Sequence, residues 1–318
     1  MQWDERIGRR LKLRDLHILL AVVQAGSMAK AGTRLAVSQP AISKAIAEME
    51  HALGVPLLDR SPQGVEPTRY GRAIIKRGAA VFDELRQGIK ETEFLLDPTV
   101  GEVRIGTTEP LAAGLITAVV ERLWRRSPRI ATHVVEGDTL ALLHELEERN
   151  VELVATRMVE PSVGEHMNAE ILYHDSLIVA AGIQNPWTRR RKVKLADLVS
   201  EPWVLLPHDT LIGSTMVQAF HAIGLEPPRA TVVTQTFSMR NSLLATGHFF
   251  TMLAATVLKF PTTHPTIKAL PIELPTTRRP IGIISLKNRA LSPVAQVFIG
   301  CTREVAKSIA SRPQARRS

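Results

Sequence analysis

Residues 26–60, GSMAKAGTRLAVSQPAISKAIAEMEHALGVPLLDR, decide the reading of this chain. Within them Ser38 suits a helix N-cap, Val37 can staple onto Ile42, and Pro40 falls in the first turn, where its missing N–H does no harm. Ile42, Ile46, Met49 and Leu53 recur at steps of four, three and four, which puts them on one buried stripe. Gln39, Pro40, Ser43, Lys44 and Ala47 are left on the opposite face. That face is short-chained and polar, with amide, hydroxyl and ammonium groups of the kind that read base edges or hold phosphates.

Upstream, Leu13, Leu16, Leu20 and Val23 predict a first amphipathic helix ending at Gly26, and Ser27 caps a short second one carrying Ala31 and Leu35. Three helices of this size close one small core, and a basic tip follows at Arg60. The layout is that of a winged helix-turn-helix over 11–68, with its recognition motif at 28–47, and it points to the DNA major groove. The bland alternative is a helical bundle with a solvated face. Charge argues against it: between Arg6 and Arg77 there are 13 Lys and Arg against 5 Asp and Glu, a balance of +8 in a chain whose total is +9. The excess charge is concentrated where a polyanion would bind.

Gly26, Ser27, Ala31, Leu35, Val37, Ser38, Gln39, Pro40, Ala41, Ile42, Ser43, Glu50, Leu53, Gly54, Val55, Leu57, Arg60, Thr68 and Gly71, at their spacing, resemble the N-terminal domain of LysR-type transcriptional regulators. The resemblance implies that Ser38, Gln39, Pro40, Ser43 and Lys44 enter the major groove. It further implies that Arg34 and Thr68 contact the DNA backbone and that Arg60 lies at the wing near the minor groove; Ser27 is counted with this DNA-facing set. Leu58 stands where the family usually has Phe and Gly32 where it usually has Ala, the latter at a cost of about 1 kcal/mol in helix propensity.

Pro67 to Asp97 reads as one long helix. Apolar residues return every seven positions at Ile74 with Ile75, Val81 with Phe82, Ile89, and Leu95 with Leu96, the repeat of a coiled-coil seam. Residues 69–97 are thus expected to form a dimerisation and linker helix, although Gly78 and Gly88 weaken it. A homodimer would present two recognition helices to a two-fold DNA site. The family resemblance leaves homodimer and homotetramer both open.

From Gly101 short β-type runs alternate with helices. Val103, Ile105 and Thr107 form a strand, Leu111 to Arg125 a helix, Ile130 to Val135 a strand, Leu140 to Arg149 a helix, and Val151 to Ala155 a strand. That rhythm predicts an α/β domain with a parallel sheet. A second unit begins near Ser176, Ile281 to Leu286 is a late strand, and Ser292 with Pro293 starts a final helix. The resemblance, weaker here, implies a two-lobed effector domain over 101–310, like that of periplasmic solute-binding proteins. Lobe I would span about 101–173 and 277–310, and lobe II about 174–276.

A cleft between such lobes would be lined by strand ends and helix N-termini, whose free N–H groups attract carboxylate or phosphate. Thr107, Thr108 and Pro110 meet that description, as do Asp138 with Thr139, and His208, Asp209 and Thr210 after the apolar run Trp203 to Leu206. Gln235, Thr236 and Phe237 follow Thr231 to Thr234 in the same way, and Gly247 resembles the family's glycine turn. Each is equally well read as a helix cap or turn. Thr-rich segments with few bases favour a small polar or anionic metabolite as effector.

Other classes find little support. The ten histidines do not pair at metal-ligand spacing and Cys301 stands alone, so no metal site, cofactor or disulfide framework is expected. No phosphate-cradling loop, dinucleotide fingerprint or nucleophile elbow is present, and no catalytic residue is assigned. Ile18 to Ala25 mimics a signal peptide after Arg9, Arg10 and Lys12, but Asp15 and His17 interrupt it, which favours the cytoplasm. No segment approaches a bilayer span, so no membrane partner is expected. The reading is a DNA-binding transcriptional regulator that responds to a small-molecule effector. A solute-binding receptor of a transport system and a non-specific architectural DNA-binding protein are the alternatives.

Overall fold

Three helices form where the sequence places them, and the third keeps the apolar face that its spacing predicts. In a computed structural model, which describes residues 11–62, 64–158, 164–260 and 266–311, they are α1 (Leu13–Ala25), α2 (Met28–Leu35) and α3 (Gln39–Leu53). Arg6, Arg9 and Arg10 of the basic count lie outside the described residues. α1 stops at Gly26, whose φ of 64° is the left-handed conformation that glycine adopts without a Cβ penalty. On α3, Ile42 and Ile46 are fully buried and Met49 nearly so, packing with Leu19, Val22, Ala31 and Leu57.

The buried face of α1 differs from the expected one. Ile18, Leu19 and Val22 enter the core, whereas Leu13 is half exposed and Leu16, Leu20 and Val23 are only partly buried. The helix has two packed sides, because Leu16 also fills the space beside Gly78, where an added Cβ would lie 2.7 Å from Leu16 Cδ1. Ser27 holds the N-cap position of α2, but its hydroxyl makes no cap bond. Gly32 has a spatial reason: a Cβ there would meet the Val37 carbonyl at 2.7 Å. Its weak helix propensity is exchanged for a tight α2–α3 turn.

The wing is an antiparallel hairpin of β1 (Leu58–Ser61) and β2 (Gly64–Pro67), in register from Leu58 opposite Pro67 to Ser61 opposite Gly64. α4 (Arg69–Leu96) begins beneath it. Thr68 is buried; its hydroxyl donates to the Pro56 carbonyl at 2.7 Å and accepts from the Gly71 N–H at 3.0 Å. Gly71 lies so close to the wing that a Cβ would stand 2.0 Å from the Leu57 carbonyl oxygen. Along α4, Val81, Ile89, Leu95 and Leu96 are exposed, and Leu85 joins them. The chain falls into two units that part within α4, between Ile89 and Lys90.

In the second unit β3 (Val100–Thr107) leads to a helical run: α5 (Glu109–Leu111), a π turn over Ala112–Ile116, and α6 (Thr117–Arg126). β4 (Arg129–Glu136), α7 (Thr139–Glu147), β5 (Leu153–Arg157) and β6 (Met167–Asp175) follow. The chain then builds a second lobe from β7 (Leu177–Gly182), β8 (Val204–Leu205), α8 (Leu211–His221), β9 (Val232–Val233), α9 (Phe237–Ala245), β10 (Phe250–Ala254) and β11 (Ile267–Ala269). It returns through β12 (Arg279–Leu286) and ends in α10 (Pro293–Ser311). Ser292 caps this last helix through its Oγ, which accepts from the Ala295 N–H at 3.1 Å.

The expected parallel sheet is only partly realised. In the first lobe the order is β4-β3-β5-β12-β6; β3 runs parallel to β4 and β5, but β12 is antiparallel to both β5 and β6. The cause is the return of β12 from the other lobe, which reverses its direction. The second lobe is built mainly on the antiparallel order β10-β7-β11, with β8 and β9 as a short parallel pair. Ile105, Leu115 and Phe298 centre one core of the first lobe, and Leu146, Val154 and Ile284 lie in the core on its other face. Phe250 packs against Trp203 with ring centroids 5.8 Å apart, so it belongs to the core of the second lobe.

Two glycines of α4 provide a test of this packing. Gly71→Ala is expected to destabilise the N-terminal unit by about 1–3 kcal/mol, because the wing must move off the helix. Gly88→Ala, where nothing lies within 4 Å of an added Cβ, is expected to stabilise it by about 0.5–1 kcal/mol. Urea unfolding followed by circular dichroism reads both, and equal midpoints would contradict the packing described.

Candidate functional site

The outward face of α3 is set by the inward one. With Ile42, Ile46 and Met49 directed into the core, Gln39, Pro40, Lys44 and Ala47 are exposed. Ser38 is also exposed, and its Oγ accepts weakly from the Ala41 N–H at 3.4 Å. Lys44 lies 3.9 Å from Glu48 in a solvent-exposed i,i+4 pair, which holds its ammonium only loosely. Ser43 is half-buried and turns its hydroxyl toward Met28 Sδ at 3.3 Å. Arg34, exposed at the end of α2, donates to Gln24 Oε1 at 3.2 Å.

Glu50 joins this helix to the wing, a function the sequence reading did not assign to it. Its Oε1 accepts the N–H groups of Leu57 at 2.8 Å and Leu58 at 3.2 Å, and its Oε2 lies 3.7 Å from Arg60. One carboxylate therefore ties β1 to α3 and holds the exposed Arg60 nearby. The Thr68 hydroxyl is engaged within the protein, donating to the Pro56 carbonyl and accepting from the Gly71 N–H, an arrangement that positions the wing.

A second candidate site lies in the C-terminal unit, where a cavity of about 530 Å³ opens between the lobes. Thr108, Pro110, Asp138 and Thr139 line it from the first lobe. Asp209, Thr210, Gln235, Thr236 and Phe237 line it from the second. Several are also caps: Asp138 accepts the Ala141 N–H at 3.0 Å, and Thr210 accepts that of Gly213 at 3.0 Å. Thr139 shares a hydrogen bond with Thr156 at 2.8 Å.

Three expected lining residues are elsewhere. Thr107 is fully buried under the sheet, donating to the Ala155 carbonyl at 2.9 Å. His208 is exposed and lies off the wall, because the chain turns there to reach the cap at Thr210. Gly247 makes the turn after α9 with φ of 82°, away from the cavity lining.

Two buried cationic residues of the cavity are ones that the sequence reading missed. Arg157 and Arg240 line it, at 6% and 5% exposure. Burial pulls the Arg240 guanidinium down to about 10, partly offset by the Glu109 carboxylate, and it still carries its charge at neutral pH. Burial likewise lowers Arg157, opposed by Asp175. Arg157 Nη1 donates to the carbonyls of Asp175 at 3.1 Å and Thr277 at 3.4 Å, one on each chain segment that passes between the lobes. The Asp175 carboxylate accepts from the N–H groups of Ser176 and Thr256, and the Thr277 hydroxyl from that of Leu177. Apolar side chains, among them Leu206, Met216, Met252 and Phe260, complete the wall. Among the described residues no group of His, Cys, Asp and Glu is arranged to hold a metal ion, and no helix is long and apolar enough to cross a membrane.

Comparison with known proteins matches both sites to domains of one family. Residues 13–72 match the model of the bacterial regulatory helix-turn-helix protein, lysR family, and residues 97–307 match that of the LysR substrate binding domain. The chain is 28% identical over 297 residues to the HTH-type transcriptional regulator GbpR of Azospirillum brasilense, covering 92% of this chain and 86% of that one. Among solved structures, a full-length OxyR variant from Pseudomonas aeruginosa shares the fold with a TM-score of 0.67 at 18% identity, over 97% of this chain and 99% of its own. Full-length CbnR complexed with its target DNA shares it with a TM-score of 0.54 at 22% identity, over 93% and 100%. The relatives matched over nearly their whole length are transcriptional regulators rather than enzymes. This chain is therefore a member of the LysR family of transcriptional regulators, with an N-terminal DNA-binding helix-turn-helix domain and a C-terminal substrate-binding domain.

Proposed function

We propose that this protein is a cytoplasmic, sequence-specific regulator that binds promoter DNA as a homodimer and is modulated by a small polar or anionic metabolite held in the inter-lobe cavity. The observation that carries the DNA reading is the exposed face of α3. Gln39, Pro40 and Lys44 stand free of the core within the stretch from Arg6 to Arg77, which carries 13 Lys and Arg against 5 Asp and Glu. In this reading Ser38, Gln39, Pro40 and Lys44 meet the major groove, Ser43 contributes at its edge, and Arg34 and Ser27 face the backbone. Arg60 approaches the minor groove, and Thr68 and Glu50 hold the wing that presents it. A structurally similar protein, CbnR, has been solved on its target DNA, which supports a groove-reading role for the same fold here.

The dimer reading rests on α4. Val81, Leu85, Ile89, Leu95 and Leu96 are 41% to 82% exposed on one helix, an apolar seam of coiled-coil type that a second copy would bury. The effector reading rests on the cavity and on the residues that reach it from both lobes, with Thr108, Thr210 and Gln235 as its polar contacts. A ligand with different affinities for two lobe arrangements would shift their populations, and with them the DNA-bound state.

Paired substitutions test the DNA reading. Gln39→Ala is expected to lose discrimination at one or two base pairs by roughly 1–3 kcal/mol, whereas Arg34→Ala weakens specific and random duplexes alike. Competition binding at near-physiological salt measures both; equal losses for Gln39→Ala on specific and random DNA would remove its base-reading role. An architectural protein would instead show a steep salt slope and little preference among sequences. For the dimer, Leu85→Glu combined with Ile89→Glu is expected to sediment as a monomer while retaining native helix content. A dimer that survives both charges would place the interface elsewhere.

A further inference from the structure

Helix α9 begins without a cap of its own. Thr236 holds its N-cap position and makes no side-chain bond to the helix. The carboxylate of Glu109 takes that role from the other lobe, 128 residues away in sequence: Oε2 accepts the Phe237 N–H at 2.8 Å and Oε1 the Ser238 N–H at 3.1 Å. A carboxylate gripping two backbone amides at a helix N-terminus is the arrangement in which proteins hold anionic ligands. Here the anion belongs to the protein.

Two buried guanidinium groups bring positive charge to the wall of this cavity. Arg240, one turn into α9, is 5% exposed and its Nε has no hydrogen-bond partner. Arg157 is 6% exposed, and its Nη2 is likewise unpartnered, although its Nη1 is tied to both inter-lobe segments. Both guanidinium groups and Glu109 line the same cavity. Buried donors of this kind favour a charged acceptor. The other acids around the cavity are otherwise placed: Asp138 caps α7, and Glu136 and Asp209 are solvent-exposed. Asp175 faces Arg157, with its carboxylate engaged by the Ser176 and Thr256 amides.

We infer that Glu109 is a resident competitor for the effector, and that the effector is an organic acid with an apolar body whose carboxylate displaces Glu109 from the N-terminus of α9. The apolar body fits against Leu206, Met216, Met252 and Phe260, and the carboxylate takes the Phe237 and Ser238 amides beside Arg240. The Glu109 contact bridges the lobes, so displacement exchanges an internal tie for one made through the ligand. This inference rests on reading the cavity as the effector site. It adds the chemistry of the ligand and the group that sets the response threshold. Where the competing contact occupies the site most of the time, its removal tightens apparent affinity by the inverse of the free fraction.

The test uses the full-length protein and a series of carboxylates, namely acetate, hexanoate, decanoate and 4-phenylbutyrate, each beside its neutral amide. Calorimetric titration of Glu109→Gln is expected to show the apolar acids binding about tenfold more tightly than to the wild type, with the amides unchanged. Glu136→Gln, a charge-matched control on the same cavity, is expected to leave every affinity as it was. In Glu109→Ala, amide hydrogen exchange at Phe237 and Ser238 should speed up and be slowed again by the acid that binds best. If Glu109→Ala does not fold, the Glu109→Gln titration decides alone. Amides binding as well as acids, or no acid in the series gaining affinity in Glu109→Gln, overturns the inference. Either result leaves the DNA and dimer tests of the regulator reading to stand or fall separately.

Discussion

The burial of Ile42 and Ile46 against α1 and α2 is the constraint on which the DNA-facing half of this molecule depends. Both side chains are removed completely from solvent, and each contributes roughly 1.5–3 kcal/mol by leaving water. Because an α-helix carries its side chains on fixed faces, committing these two inward leaves Gln39, Pro40 and Lys44 no direction but outward. Glu50 extends that order to the wing through two backbone amides, and Thr68 with Gly71 sets the wing on α4. The exposed face of α3 is a by-product of core packing plus two short polar ties.

The C-terminal unit solves a different problem. Its two lobes share the segments that leave β6 and enter β12, and Arg157 grips the carbonyls of both. A guanidinium buried at that point links the cavity wall to the segments about which the lobes would move. Glu109, which lines the same cavity, links the lobes through α9. A ligand that engaged either group would act directly on the relation between lobes, without a long chain of intermediaries. Coupling of this kind requires only that the ligand favour one of two arrangements.

The sequence was legible where contacts are local. Gly26, Ser38 and the Ile42–Ile46 stripe announce their helices because caps and periodicity act over a few residues. The strand and helix rhythm after Gly101 likewise located the elements of the first lobe. Thr107 illustrates a signal present but not followed: it shares its strand face with Val103 and Ile105, both fully buried, so alternation already directed it inward. The stripe of α1 was misjudged because α1 is packed on two sides, and one of its partners, Gly78, is distant in sequence. Glu109, Arg157 and Arg240 were illegible for the same reason. Part of their surroundings comes from segments more than a hundred residues away: Glu109 meets Phe237, Arg157 meets Thr277, and Arg240 feels the Glu109 carboxylate. The antiparallel entry of β12 was equally hidden, since it follows from the chain's return from the second lobe.

On the proposed function, two copies of the α3 face read DNA sequence together. Selection from a pool of random duplexes, using full-length protein at near-physiological salt, addresses it most directly. The expected result is an enriched motif with two-fold symmetry, its half-sites about one helical turn or a whole multiple apart. Enrichment of no motif, or of a single asymmetric site bound by one copy, would contradict it.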